Sequence, residues 1–131
     1  MRLLIDTHIF IWWNGNLNLL APQTRALCED RSNTLILSLA SVWEMQIKYQ
    51  LGKLTFNQPL AEIIISQQRA NGVEVLPITA QHIYALQDLP SHHKDPFDRL
   101  LIAQANIEKI ALVTADPVFQ QYDVKLAGSI S

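Results

Sequence analysis

Four acidic residues occupy positions from which one pocket can be built. Asp6 directly follows the aliphatic run 3–5, and Glu44 lies about one turn into a helical segment. Asp98 falls in the first turn of "DPFDRLLIAQA", and Asp116 comes two residues after "ALVT". In open parallel sheets, ligands bind beyond the carboxyl ends of the strands, where the following loops and helix starts gather. Asp6 and Asp116 are expected there directly, and Glu44 and Asp98 near helix N-termini that point to the same edge. Two carboxylates about 4 Å apart repel by roughly 4 kcal/mol at an effective dielectric near 20, and four repel more. No Arg or Lys is spaced to neutralise all four. A hard dication such as Mg²⁺ or Mn²⁺, which accepts carboxylate and water oxygens, resolves the conflict. Asp98 carries the sharpest form of it. Leu101, Ile102 and Ala105 share its helical face, so a carboxylate heads an apolar stripe where desolvation is costly.

Each acid also has an ordinary reading. Asp6 suits the N-cap of the following helix. Glu44 can pair with Lys48 one turn later, a weak interaction at a surface. Asp98 fits as the third-position partner of an Asp95 cap, or as an acid favoured by the helix dipole. Asp116 before Pro117 is a common start for a short helix. Joint placement, rather than any one residue, points to a metal site.

The elements that must position these acids alternate between strand and helix. Strands are expected over 3–5, 34–37, 73–78 and 111–114, with 124–126 as a further edge strand. Helices are expected over 9–13, stopped by Asn14 and Gly15; over 22–29, opened by Pro22; and over 40–51, ended by Gly52 as a left-handed cap. Pro59 opens another helix that Asn71 and Gly72 close. Thr79 caps one running to about Leu89, and Asp95 with Pro96 starts one running to about Lys109. "ADPVFQQY" gives a short final helix. Helices linking successive strands imply a three-layer α/β/α sandwich with a central, mostly parallel sheet of four to five strands. The 131 residues fit a single domain, expected over 1–131, with no repeat or linker.

Composition agrees with a packed domain: 49% hydrophobic and 17% charged residues. The lone Cys28 has no cysteine partner for a disulfide or a zinc knuckle, and reads as a small buried hydrophobe in a reducing compartment. Asp6 and His8 interrupt the apolar opening 3–13, and no small-residue cleavage site follows, so a signal peptide is not expected. No stretch is long enough to span a bilayer, and a cytoplasmic protein without membrane contact is expected. The formal charge of -2 runs against the excess of Lys and Arg usual in nucleic-acid binders. Setting the four site acids aside, however, leaves eight acidic residues against ten Lys and Arg. His92 and His93 sit side by side in a polar loop, the pattern of solvated surface. His8 and His82 have no suitable partners and receive no metal role. Trp12 and Trp13 suit core or dimer packing, or the stacking of bases.

The strings "LLIDTHIFIWW", "LSLASVWEMQIKYQLGKL", "DPFDRLLIAQA" and "LVTADPVFQQY", in that order, resemble the PIN-domain ribonucleases, particularly the VapC-type toxins of prokaryotic toxin–antitoxin pairs. The likeness runs over nearly the whole chain, and Asp6, Glu44, Asp98 and Asp116 match the family's acidic quartet with none missing. It implies an endoribonuclease dependent on Mg²⁺ or Mn²⁺, with one or two ions per site, often homodimeric and held inactive by a cognate antitoxin. Asp6, Glu44 and Asp98 are then the inner carboxylates, and Asp116 holds a second metal or orients a metal-bound water. Thr7 and Thr114 are candidates to bond a site carboxylate or a water, or else capping hydroxyls. Arg99 is a candidate phosphate contact or, turned away from Asp98, a structural ion pair.

Other readings fit less well. A phospho-acceptor receiver domain wants adjacent acids after the first strand, whereas Thr7 follows Asp6, and no Asp follows the strand ending near Ile78. A haloacid-type phosphatase wants a second Asp where His8 stands. Within the resembled family, a housekeeping RNA-processing nuclease and a non-catalytic binding module are the alternatives to a toxin, and the intact quartet counts against the second.

Overall fold

Short aliphatic strands with both faces apolar need helices on both sides, and the chain supplies them. The computed structural model describes residues 1–93 and 95–128; Lys94 and residues 129–131 of the domain expected over 1–131 lie outside the described residues. The strands are β1 (Arg2–Ile5), β2 (Thr34–Ser38), β3 (Glu74–Leu76) and β4 (Ala111–Val113). The helices are α1 (Thr7–Gly15), α2 (Pro22–Glu29), α3 (Leu39–Gln50), α4 (Leu60–Asn71), α5 (Ala80–Tyr84) and α6 (Pro96–Glu108). Short 3-10 turns cover Leu17–Leu19, Ala85–Asp88 and Pro117–Gln121.

The sheet has the order β3-β2-β1-β4, and every pair is parallel. Leu3 pairs with Leu35 on one side and Ala111 on the other, and Ile5 with Leu37 and Val113. The side-chain period of two then splits the core. Leu3, Ile5, Leu35, Leu37, Ala111 and Val113 pack with Ile9 and Phe10 of α1, Met45 of α3 and Ile63 of α4. Leu4, Ile36 and Leu112 face the other way onto Leu101, Ile102 and Ala105 of α6, with Phe119 and Tyr122. This is the expected three-layer α/β/α sandwich, with four strands.

From β1 the chain builds β2 and β3 outward on one side, then returns to lay β4 on the other. The order therefore reverses between β1 and β4, where a crevice opens at the carboxyl ends of those strands. Asp6 follows β1 and Asp116 follows β4, so both stand at this point.

Three local expectations are corrected. Residues 124–126 form no strand; they touch the sheet through one isolated parallel bridge, Leu112 to Leu126, with two backbone bonds at Leu112. The helix after Thr79 ends at Tyr84 and tightens into a 3-10 turn to Asp88. Pro90 disfavours helical backbone at Leu89, which is extended, and the guanidinium of Arg99 takes the carbonyls of Leu86, Leu89 and Pro90. The third strand is shorter than 73–78 and ends at Leu76, before Pro77. Gly52 and Gly72 adopt the left-handed backbone expected past helix ends, with φ of 73° and 65°.

Leu101 is fully buried beneath the turn that carries Asp98. Leu101→Ala is expected to cost about 2–5 kcal/mol of stability, through lost burial and a residual cavity. Urea unfolding with an unchanged denaturant slope checks this, and a loss below about 1 kcal/mol contradicts the packing described.

Candidate active site

Helix capping accounts for much of the local geometry. Asp6 is the N-cap of α1, and its Oδ1 accepts from the Ile9 N–H at 2.9 Å. Asp95 caps α6, accepting from Phe97 N at 2.9 Å and Asp98 N at 3.3 Å, which leaves the Asp98 carboxylate free of capping work. Asp116 caps the last 3-10 turn through Val118 N at 3.0 Å. The ordinary readings of Asp6 and Asp116 are thus correct, yet neither exhausts its carboxylate. For Asp98 the cap belongs to Asp95.

Glu44, at 4% exposure, is a buried acidic side chain. Its Oε1 accepts from the Thr7 hydroxyl at 2.6 Å, and its Oε2 lies 2.9 Å from Lys48 Nζ. A hydroxyl has one proton, so Thr7 gives its own to Glu44, and Ser41 at 2.9 Å donates to Thr7. Thr7 therefore touches a site carboxylate, one of its two expected uses. Thr114 accepts from Asp116 N at 3.0 Å through its hydroxyl, which also lies close enough to the Asp6 side chain to favour its ionised form.

The electrostatics are those of crowded acids. Burial pushes the carboxyl of Asp6 up from its ordinary value of 3.8; the bonds from Thr114 and Ile9 and the nearby His8 oppose this, and Asp116 adds to it. Asp98 is pushed up to about 7, first by desolvation, then by the negative charges of Asp95 and Asp6, with Glu44 adding and His93 opposing. Among the described residues, Lys48 is the one Lys or Arg in ion-pair contact with the quartet. Asp116 differs from the rest, since its side chain is 46% exposed. A cavity of about 260 Å³ opens onto Asp6 and Asp116 and is walled by His8, Trp12 and Ala115. Oxygen donors with surplus negative charge, partly desolvated and reached from solvent, fit a hard divalent cation.

His93 is the neighbour of these acids that the sequence concealed. It is not solvated surface: its side chain is 18% exposed, and Nε2 stands 2.8 Å from Asp98 Oδ2 and 3.6 Å from Asp116 Oδ2. One ligand-type atom from each of these three residues lies within 4.8 Å of the others. No spacing rule would have found His93, because its approach depends on the loop before α6 folding back over the helix start. His92, by contrast, is exposed, with its ring edge-on to Tyr122. His82 also departs from expectation. It is fully buried, with Nε2 3.0 Å from Glu108 and Nδ1 accepting from Thr79 N at 3.0 Å.

Arg99 spends its guanidinium on backbone carbonyls and the Tyr122 hydroxyl. It makes no ion pair among the described residues, so the structural ion pair expected for it is not found there; instead it ties down the segment at Leu86, Leu89 and Pro90. Trp12 packs against His8 at the crevice, and Trp13 packs on the core. A further aromatic pair flanks the site: Trp43, 57% exposed, meets Phe97 edge-on at 5.2 Å. These two residues immediately precede Glu44 and Asp98.

A family model described as "PIN domain" matches residues 3–125. Ribonuclease VapC16 of Mycobacterium tuberculosis is 38% identical over 60 residues, which is 46% of this chain and 43% of that relative; the match thus spans less than half of the relative's length. VapBC2 from Rickettsia felis, solved bound to a DNA fragment from the promoter, superposes with a TM-score of 0.70 at 17% identity, covering 97% of this chain and 98% of that one. DNA-bound VapBC from Salmonella typhimurium gives 0.68 at 13% identity, covering 100% and 99%. At these identities the two structures are evidence of a shared fold.

The raised carboxyl of Asp98 sets a pH dependence. Between its unfolded value of 3.8 and its folded value of about 7, the folded protein holds the proton more tightly, so this group's contribution to stability falls as pH rises through that window. Asp98→Asn, which mimics the neutral acid, is expected to melt close to the wild type below about pH 4 and increasingly above it up to about pH 7, in metal-free protein. A difference in melting temperature that stays flat with pH contradicts the burial and crowding described.

Proposed function

We propose that this chain, which belongs to the PIN-domain family, is an endoribonuclease that hydrolyses RNA phosphodiesters with Mg²⁺ or Mn²⁺ and serves as the toxin of a toxin–antitoxin pair. The observation that carries the activity is the gathering of Asp6, Glu44, Asp98 and Asp116 near one strand-order reversal, with Lys48 the single Lys or Arg paired to them among the described residues. The name of the curated relative, a ribonuclease, supports the substrate class.

The residues divide the work. Asp6, Glu44 and Asp98 would hold the metal from the less exposed side, and the more exposed Asp116 would contribute through water or to a second ion. A divalent ion held by these carboxylates would supply Lewis-acid polarisation of the scissile phosphate and a lowered pKa for the attacking water. Thr7 and Lys48 each occupy one oxygen of Glu44, fixing its orientation while lone pairs remain for the ion. Thr114 holds the backbone of Asp116 and favours the ionised form of Asp6 beside it. Trp12 and His8 line the opening to Asp6 and Asp116, where a nucleotide base can stack.

The partners follow from likeness. The R. felis and S. typhimurium relatives are VapBC assemblies on DNA, and FitAcB from Neisseria gonorrhoeae shares the fold with a TM-score of 0.63 at 18% identity. On that basis we assign this chain a cognate antitoxin; a homodimeric state, implied by the family resemblance, and a cytoplasmic location are part of the same proposal. No helix among the described residues is long and apolar enough to cross a membrane.

Purified protein is expected to cleave RNA when given Mg²⁺ or Mn²⁺, and to stop when EDTA is added. Asp6→Asn is expected to lower the rate on the order of a hundredfold or more, the loss typical of removing a group that stabilises developing charge. Gel analysis of RNA fragments checks both, and cleavage surviving both treatments sinks the metal mechanism. In cells, expression alone is expected to arrest growth, with relief on co-expression of a cognate antitoxin. Harmless expression of an active enzyme favours a housekeeping RNA-processing role instead.

A further inference from the structure

We propose that His93 is a positioning residue for the metal site, donating its Nε2 proton to the Asp98 carboxylate and so holding Asp98 in the orientation from which it receives the ion. This rests on the metal-nuclease reading above. The three-atom grouping of His93, Asp98 and Asp116 resembles a small metal site in its own right, with the imidazole as a ligand. The other ring nitrogen argues against that. Nδ1 accepts the backbone N–H of Asp95 at 3.2 Å, so in the neutral ring Nδ1 carries the lone pair and Nε2 the proton. A protonated Nε2 cannot ligate a cation, but it can donate to a carboxylate.

Position supports the same role. Nε2 is 2.8 Å from Asp98 Oδ2 and 3.6 Å from Asp116 Oδ2, within reach of the inner acid and beside the outer one. Nε2 is buried and satisfies no hydrogen bond among the described residues, with the Asp98 carboxylate the acceptor within reach. A buried donor of this kind is costly unless a nearby acceptor serves it, and Asp98 is the nearest one. The ring itself is fixed. Its backbone N–H donates to the Tyr122 hydroxyl at 2.7 Å, its face meets Phe119 edge-on at 5.9 Å, and Nδ1 is tied to the α6 cap. The cap that starts α6 thereby sets the tautomer, and the tautomer governs Asp98.

Two measurements test this. Nitrogen NMR of the metal-free protein, at a pH above the usual histidine range, is expected to show His93 with the proton on Nε2. A proton on Nδ1 overturns the proposal, as does direct bonding of Nε2 to an added ion. Mn²⁺ binding, followed by the spin-resonance signal of the free ion, is then compared in three proteins. His93→Phe keeps the ring contact with Phe119 but removes the donor, and is expected to weaken Mn²⁺ binding about 10- to 100-fold, the usual cost of losing an outer partner of a metal ligand. His93→Gln restores an N–H near the position of Nε2 and is expected to recover most of that loss. Equal binding by wild type and Phe variant overturns the role of His93, as does equal loss in the Phe and Gln variants. Wild-type protein that binds no Mn²⁺ sinks the metal reading itself, a result distinguishable from the other two.

Discussion

The mutual repulsion of carboxylates held out of water is the constraint on which the rest of the site depends. Asp6 and Glu44 are almost wholly buried, Asp98 is largely so, and the charges of Asp6, Asp95 and Glu44 all bear on Asp98. A fold selected for stability alone has no reason to assemble such a group, since each buried charge loses hydration and gains like-charged neighbours. The partners present relieve only part of it. Lys48 and Thr7 serve Glu44, and Thr114 serves Asp6. The remaining imbalance is the feature on which the proposed dication site rests.

The fold meets this cost with interactions that do double duty. Asp6 and Asp116 use one oxygen to cap a helix or turn, which ties each acid to the end of its strand. Beneath the site, a buried polar chain joins the elements that carry Glu44 and Asp98. Ser38, the N-cap of α3, donates to Gln104 of α6, and the Gln104 amide reaches the carbonyl of Pro77 and lies 3.3 Å from His82 Nδ1. His82 in turn meets Glu108. Satisfied networks of this kind fix the relative placement of helices more closely than apolar packing does, because hydrogen bonds are directional.

Much of the architecture was legible because it is written in local chemistry. Aliphatic runs of three to five residues, Pro22 and Pro96 at helix starts, and Gly52 and Gly72 at helix ends each have a short-range physical cause, and the observed elements follow them closely. The misreadings lie where a distant group intervenes. Arg99 claims the carbonyls of Leu86, Leu89 and Pro90 and accompanies a helix that tightens early, and residues 124–126 find one bridge where a ladder was expected. His82 looked partnerless because Glu108 is 26 residues away in sequence.

The four acids were visible in the sequence as residue types at strand ends and helix starts, and their ordinary uses as caps were visible too. The sequence by itself determined which residues carry the charge and that parallel strands would bring them to one edge. Only the tertiary structure decided how that charge is shared: Glu44 between Thr7 and Lys48, Asp98 beside His93, and Asp116 left open to solvent. The reason is physical. Secondary structure follows from interactions within a few residues, whereas the proton state and orientation of a buried carboxylate depend on whatever the fold brings within about 4 Å of it.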